Sequence, residues 1–268
     1  MDTFNVSDCT IHVPILVSVP HCGTEFPVEL ASDFNPSLSK WPDDTDWFVD
    51  QLYDFVHELG IPMIRARYSR WVIDLNRSPE NKALYDDGRS ITGLCPMTDF
   101  HGNPIYKANI PDEKEIERRL NVYYLPYYQK IQEILHDMIA KFGHALLWDA
   151  HSIRRMVPSI SPTKFPDMVL GSVDGSSSHP ILINTALDAL QSGSLTVQHN
   201  HPFKGGQITR HFGKPDTRQY ALQLELCKDL YMDEAERVYE NDKAIQLKPI
   251  LQATLEALLK VLKDGQSI

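Results

Sequence analysis

Two histidines stand just past apolar runs, where a strand gives way to a turn, and that setting suits a metal ligand. His21 lies in Val19-Pro20-His21-Cys22-Gly23, and His151 in Trp148-Asp149-Ala150-His151-Ser152. Two imidazoles with one carboxylate make an open zinc site of three protein ligands, with a fourth position left for water. The acidic stretch Asp43-Asp44-Thr45-Asp46-Trp47, at the start of an expected helix, can supply the carboxylate. The same acids also suit an N-cap, which needs no metal. His199 and His201 form a competing pair, since alternate residues share one face of a strand. Pro202, directly after them, points to a loop contact instead.

Glu225 ends the apolar run Ala221-Leu222-Gln223-Leu224-Glu225-Leu226. A charge there is costly without a partner or a task. A carboxylate in that place can take a proton from an activated water and hand it to a leaving nitrogen. A salt bridge, for instance to Arg210, is the structural alternative. Asn76 and Arg77 end the run Trp71-Val72-Ile73-Asp74-Leu75. A guanidinium offers a planar fork that matches a carboxylate. HExxH, GxSxG, P-loop and GxGxxG signatures are all missing from the sequence. Zincin, serine-hydrolase and nucleotide-binding readings therefore lack their main signals.

The elements that must position these residues follow from periodicity. Strands are expected at His12–Val19, 62–66, 71–75, 145–149, 168–171, 195–197 and 220–225. Helices are expected from Asp44 to Leu59, from Pro111 through Lys141 with a kink near Pro126, from Ile181 to Leu190, and from Glu234 to Leu262. Continuous apolar strands alternating with helices imply an α/β sandwich, its mixed sheet covered on both faces. The stretch from about 78 to 110 has little periodicity, and a long irregular segment inside one compact domain is usually an active-site loop. The 268 residues fit one domain.

A net charge of −10 argues against nucleic acid or an anionic membrane as partner, yet a few arginines can make one cleft attract an anion. No apolar stretch is long enough to span a bilayer, and the start lacks a signal-peptide pattern. The four cysteines are scattered without a CxxC pair, so reduced thiols and a cytoplasmic location are expected.

Taken in order, several segments carry a resemblance. They are Ser18-Val19-Pro20-His21-Cys22-Gly23-Thr24, Asp44-Thr45-Asp46-Trp47, Asp74-Leu75-Asn76-Arg77 and Asp149-Ala150-His151-Ser152. Pro202-Phe203-Lys204-Gly205-Gly206, Ile208-Thr209-Arg210-His211 and Leu222-Gln223-Leu224-Glu225-Leu226 complete the set. The chain thus resembles the N-formylglutamate amidohydrolases, whose three-layer fold is similar to that of zinc carboxypeptidases and aspartoacylase-type deacylases. That resemblance implies a Zn2+ ion, or another divalent ion, held by His21, Asp46 and His151. Glu25 is the rival for the carboxylate position, one residue beyond HxxE spacing from His21. Glu225 becomes the general acid/base, and Arg70 or Arg67 the group that steadies the oxyanion. Asn76 and Arg77 would grip a substrate carboxylate, with Arg154, Arg155 and Arg210 as candidates for the second. The implied substrate is a small acidic N-acyl amino acid, N-formylglutamate first, cleaved as in histidine catabolism. The same machinery would serve a deacylase or deiminase acting on another N-acyl or N-formimino amino acid. A silent amino-acid-binding relative would keep the arginines and release no formate.

Overall fold

Apolar runs in this chain become strands whose two faces are both covered. The structure, a computed structural model, describes residues 2–7, 10–80, 82 and 92–264. One mixed sheet contains β1 (Phe4–Ser7), β2 (Ile15–Val19), β3 (Met63–Ala66), β4 (Ala145–Ile153), β5 (Met168–Gly171), β6 (Val197–His199) and β7 (Gln219–Cys227). Their spatial order is β1-β3-β2-β4-β7-β5-β6. The four strands β3, β2, β4 and β7 run parallel, while β1 and β5 join antiparallel. The α-helices among the described residues are α1 (Val49–Leu52), α2 (Glu113–Arg119), α3 (Leu125–Phe142), α4 (Pro180–Leu190), α5 (Gln207–Phe212) and α6 (Asn241–Lys263). One apolar cluster joins α1, α4 and α6 to one sheet face; another joins α3 and α5 to the opposite face. This is the α/β sandwich expected from the sequence.

Strand alternation decides where the polar residues go. Val17, Val19, Leu146, Trp148, Ala150, Leu222 and Leu224 point into the first cluster, and Leu16, Leu147 and Ala221 into the second. Ser18, Asp149, His151, Gln223 and Glu225 therefore share the second face. There the apolar side chains give way to polar ones toward the carboxyl ends of β2, β4 and β7.

The run Trp71 to Leu75 is not a strand. Its side chains are buried in the second cluster, but its backbone makes turns. Side chains take the place of a ladder: Trp71 O accepts from Tyr106 Oη at 3.2 Å and Val72 O from Arg119 Nη1 at 3.1 Å. Leu75 O accepts from Tyr128 Oη at 2.8 Å, and Arg77 O from Tyr124 Oη at 2.9 Å. Buried carbonyls satisfied this way need no neighbouring strand.

The expected helix over 44–59 is also broken. Phe48 adopts φ 62°, and only Val49–Leu52 and a 3-10 turn at Asp54–His57 are helical. No side chain caps α1, so the acids before it are left for other work. The long helix expected from Pro111 divides at a π-helical turn, Leu120–Tyr124, just before Pro126, whose missing N–H suits such a change. Gly143 (φ 81°) closes α3 as expected. The last helix starts later than foreseen, at Asn241, and β6 lies two residues on. β1 and α5 were not anticipated. Residues 81 and 83–91 of the expected loop lie outside the described residues.

A buried cation fixes the 71–77 segment. Arg119, fully buried, reaches Val72 O and donates through Nε to Glu115 Oε1 at 2.8 Å. Hydrogen bonds from Arg118 first, then Arg119, hold the Glu115 carboxyl down at about 2. A depressed carboxyl contributes its stability above its unfolded value and loses it as pH falls through the folded one. Urea unfolding at about pH 6 and about pH 3 should show Glu115→Gln losing less stability on acidification than the wild type. An equal loss in both proteins would remove Glu115 from the acid response.

Candidate active site

The turn after β2 carries His21, whose carbonyl accepts from Asp46 N at 3.0 Å and so binds the acidic stretch to it. His21 Nε2 lies 2.7 Å from Asp74 Oδ1, which fixes the tautomer and turns the Nδ1 lone pair toward Asp46. Asp46 Oδ2 is 3.7 Å from His21 Nδ1 and 3.0 Å from His151 Nδ1. All three residues are buried, with ligand atoms within 4.8 Å of one another. Tetrahedral bonds of 2.0–2.2 Å place ligand atoms about 3.3–3.6 Å apart, so the two measured spacings bracket a metal site. The expected His–Asp–His group converges on one point.

The surroundings fit a metal as well. Burial chiefly, helped by the Arg70 charge, lowers His21 to about 4, which leaves it neutral as a ligand must be; against burial, the Asp149 and Asp46 carboxyls push His151 well above its ordinary value, so an ion bound there displaces its proton. Burial alone would raise Asp46, but the hydrogen bond and charge of His151 hold it below the usual range. Asp149 Oδ2 lies 3.1 Å from His151 Nε2 without hydrogen-bond alignment, and this buried oxygen has no donor.

Glu225 sits on β7 opposite His151 of β4. Burial raises its carboxyl to about 8. It lines a cavity of about 240 Å³ together with His21, Asp46, His151, Arg70, Asn76 and Arg77. Phe100, Ile153, Ile160 and Phe203 supply an apolar wall. Asp74, fully buried, organises one side: Oδ2 accepts from Arg70 Nη2 at 2.6 Å, and Oδ1 from Asn76 N at 2.9 Å. Arg70 also donates to Asp44 O at 3.1 Å, so its guanidinium is held rigidly at the cavity edge. Arg77 donates through Nε and Nη2 to Thr92 Oγ1 at 3.1 and 2.9 Å, and through Nη1 to Asn76 O at 3.3 Å.

Asn76 departs from expectation. Its Oδ1 accepts from Ile208 N at 2.8 Å, and its Nδ2 lies 3.0 Å from His151 Nε2 and 3.4 Å from Gln223 Oε1. The amide is engaged inside the protein, where it braces His151, Gln223 and the 206–208 segment. A Cβ on Gly206 would come within 2.3 Å of this amide, which is why the 205–206 loop can approach so closely.

Other candidates fall elsewhere. Glu25 and Arg67 pair with each other at 2.9 Å on the surface, so neither the rival ligand nor the alternative oxyanion arginine reaches the site. Arg154 pairs with Glu236 at 3.0 Å and lines a separate cavity near Trp41 and Trp47. Arg155 is engaged by Asp229 and Asp167. Arg210 donates to Gly205 O at 3.1 Å from α5, outside the lining of the main cavity. His199 Nε2 bonds Ser172 Oγ at 2.7 Å, and no metal group among the described residues includes it or His201. Asp74 and Gln223 were passed over as site residues. Each is a single polar residue inside an apolar run, the same signal that marked Glu225.

The site thus sets a candidate metal group beside a carboxyl and two arginines in one cavity of an α/β sandwich. Residues 13–232 match the family model for N-formylglutamate amidohydrolase, and the chain belongs to that family. It is 39% identical over 251 residues to an N-formylglutamate deformylase of Pseudomonas putida, covering 92% of each chain. A second N-formylglutamate deformylase, from Pseudomonas aeruginosa, is 41% identical over 251 residues, 92% of this chain and 93% of that one. The crystal structure of an N-formylglutamate amidohydrolase from Ralstonia eutropha JMP134 superposes with a TM-score of 0.80 at 26% identity, over 98% of both chains. A gene product from Agrobacterium tumefaciens shares the fold, with a TM-score of 0.74 at 18% identity over 96% of both.

Proposed function

We propose that this chain hydrolyses N-formyl-L-glutamate to formate and L-glutamate, with a zinc ion at His21, Asp46 and His151. The observation that carries the reading is the half-buried Glu225 carboxyl facing that group across a cavity edged by Arg70 and Arg77. The names of the two Pseudomonas relatives support the same substrate. When bound, the metal polarises the formyl carbonyl and favours ionisation of the attacking water.

Burial makes Glu225 a stronger base than an exposed glutamate. It takes the proton of the water as the new C–O bond forms, and gives it to the nitrogen as the C–N bond breaks. Arg70, already fixed by Asp74 and Asp44, donates to the oxygen on which charge develops, so no reorganisation is needed at that moment. Arg77 anchors a substrate carboxylate and sets the formyl group over the ligand cluster. A cavity of about 240 Å³ suits a small N-acyl amino acid. On the same reading the chain acts as a single hydrolase domain in the cytoplasm, in a step of the histidine-degradation type. No helix among the described residues is long and apolar enough to cross a membrane.

The test is formate release across N-formyl and N-acetyl amino acids, with Arg77→Lys beside the wild type. Lysine keeps the charge but loses the fork, so kcat/KM for N-formylglutamate should fall by about tenfold or more. A formyl amine without carboxylates should be a poor substrate and barely respond to the change. Equal losses on both compounds would make Arg77 a brace for the Thr92 segment and nothing more. Preference for N-acetyl compounds would move the chain to another deacylase specificity.

A further inference from the structure

Strand pairing places Gln223 beside Glu225 in a way the proposed chemistry has not used. Both project from the same face of β7, two residues apart, into the same cavity. Gln223 is buried, and its amide can lie only one way round. Its Oε1 accepts from Gly206 N at 2.8 Å and from Asn76 Nδ2 at 3.4 Å. Two donors on that atom make it the oxygen, so the amide's N–H₂ faces the other side. There Nε2 donates to Glu225 Oε2 at 3.4 Å.

The brace behind Gln223 is itself firmly set. Asn76 is tied to Ile208 N, and Gly206 has no side chain to hold the loop away. Gly171, the neighbour of Gln223 on β5, lets the backbone of Lys204 and Gly205 approach to where a Cβ would stand 2.7 Å away. Two separate segments, at Asn76 and Gly206, thus converge on one amide.

We infer that Gln223 is a positioning residue, which holds the Glu225 carboxylate in the orientation needed for proton transfer. The inference rests on Glu225 being the proton-transfer group. A carboxylate in a buried site has few partners to fix its plane, and a misplaced base loses rate even when its own chemistry is intact. The single donor acts on one oxygen, Oε2, and so biases which oxygen of Glu225 faces the cavity.

Gln223→Glu is the informative substitution. It keeps an acceptor for Gly206 N but replaces the donor by an oxygen that repels Glu225. The kcat for N-formylglutamate should fall by about tenfold or more, with KM within about threefold, zinc content unchanged and the protein still folded at the assay temperature. Gln223→Asn retains both amide groups one methylene shorter, cannot span both partners, and should lose at least about threefold in kcat. In a double-mutant cycle, adding Gln223→Glu to Glu225→Gln should cost little more than Glu225→Gln alone, because the group being positioned is gone. Normal kcat in Gln223→Glu, losses that multiply in the double variant, or unfolding of both single variants would each overturn the inference. Normal turnover in Glu225→Gln by itself would instead overturn the proposed reaction on which the inference rests.

Discussion

Replacing Glu225 by glutamine should lower formate release from N-formylglutamate by roughly 10²–10⁴-fold while the protein keeps its metal. Glutamine matches the shape of glutamate but can neither accept the proton of the attacking water nor return it to the nitrogen. Glu225 lies outside the group formed by His21, Asp46 and His151, so zinc per chain should be unchanged. Loss of zinc along with activity would make Glu225 a ligand. Near-normal turnover would make it a structural carboxyl.

The second large effect is expected at Asp46. It is the only carboxylate of the three-residue group, and one oxygen faces both imidazoles, at 3.0 and 3.7 Å. Asp46→Ala leaves the two histidines facing each other without the charge that a divalent ion requires. Zinc bound after dialysis should fall well below one per chain, and turnover should drop by roughly 10³-fold or more, the weight of several kcal/mol of charge stabilisation. The backbone bond from Asp46 N to His21 O survives the change, so the turn itself should persist. A variant with full zinc and much reduced turnover would mean that Asp46 serves the chemistry without holding the ion.

Much of this arrangement was legible in the sequence, for identifiable reasons. His21, His151 and Glu225 could be read because apolar runs give way to polar residues there, near the carboxyl ends of parallel strands, although β4 and β7 each continue two residues past His151 and Glu225. The sandwich followed from the same runs. Tertiary satisfaction of the backbone was not legible: Trp71 to Leu75 has the composition of a strand, yet Tyr106, Arg119 and Tyr128 take its carbonyls. Phe48 likewise breaks a helix that its apolar spacing promised, because the acidic stretch is drawn back onto the His21 carbonyl. The arginines were hardest to sort. Arg67, Arg77, Arg154 and Arg155 look alike in a sequence, and only the position of Glu25, Thr92, Glu236 and Asp229 separates the one at the cavity from those tied up elsewhere. Asp74 and Gln223 escaped for a related reason. Their value lies in what they hold, and that depends on loops distant in the chain.

The proposed reaction is tested most directly by formate release from N-formyl-L-glutamate, measured on metal-free protein as zinc is added back. Release should be near background without metal, rise in proportion to added zinc, and level off at about one equivalent per chain. Full formate release from the metal-free protein, or none at any zinc level, would contradict the assignment of His21, Asp46 and His151 to a hydrolytic metal site.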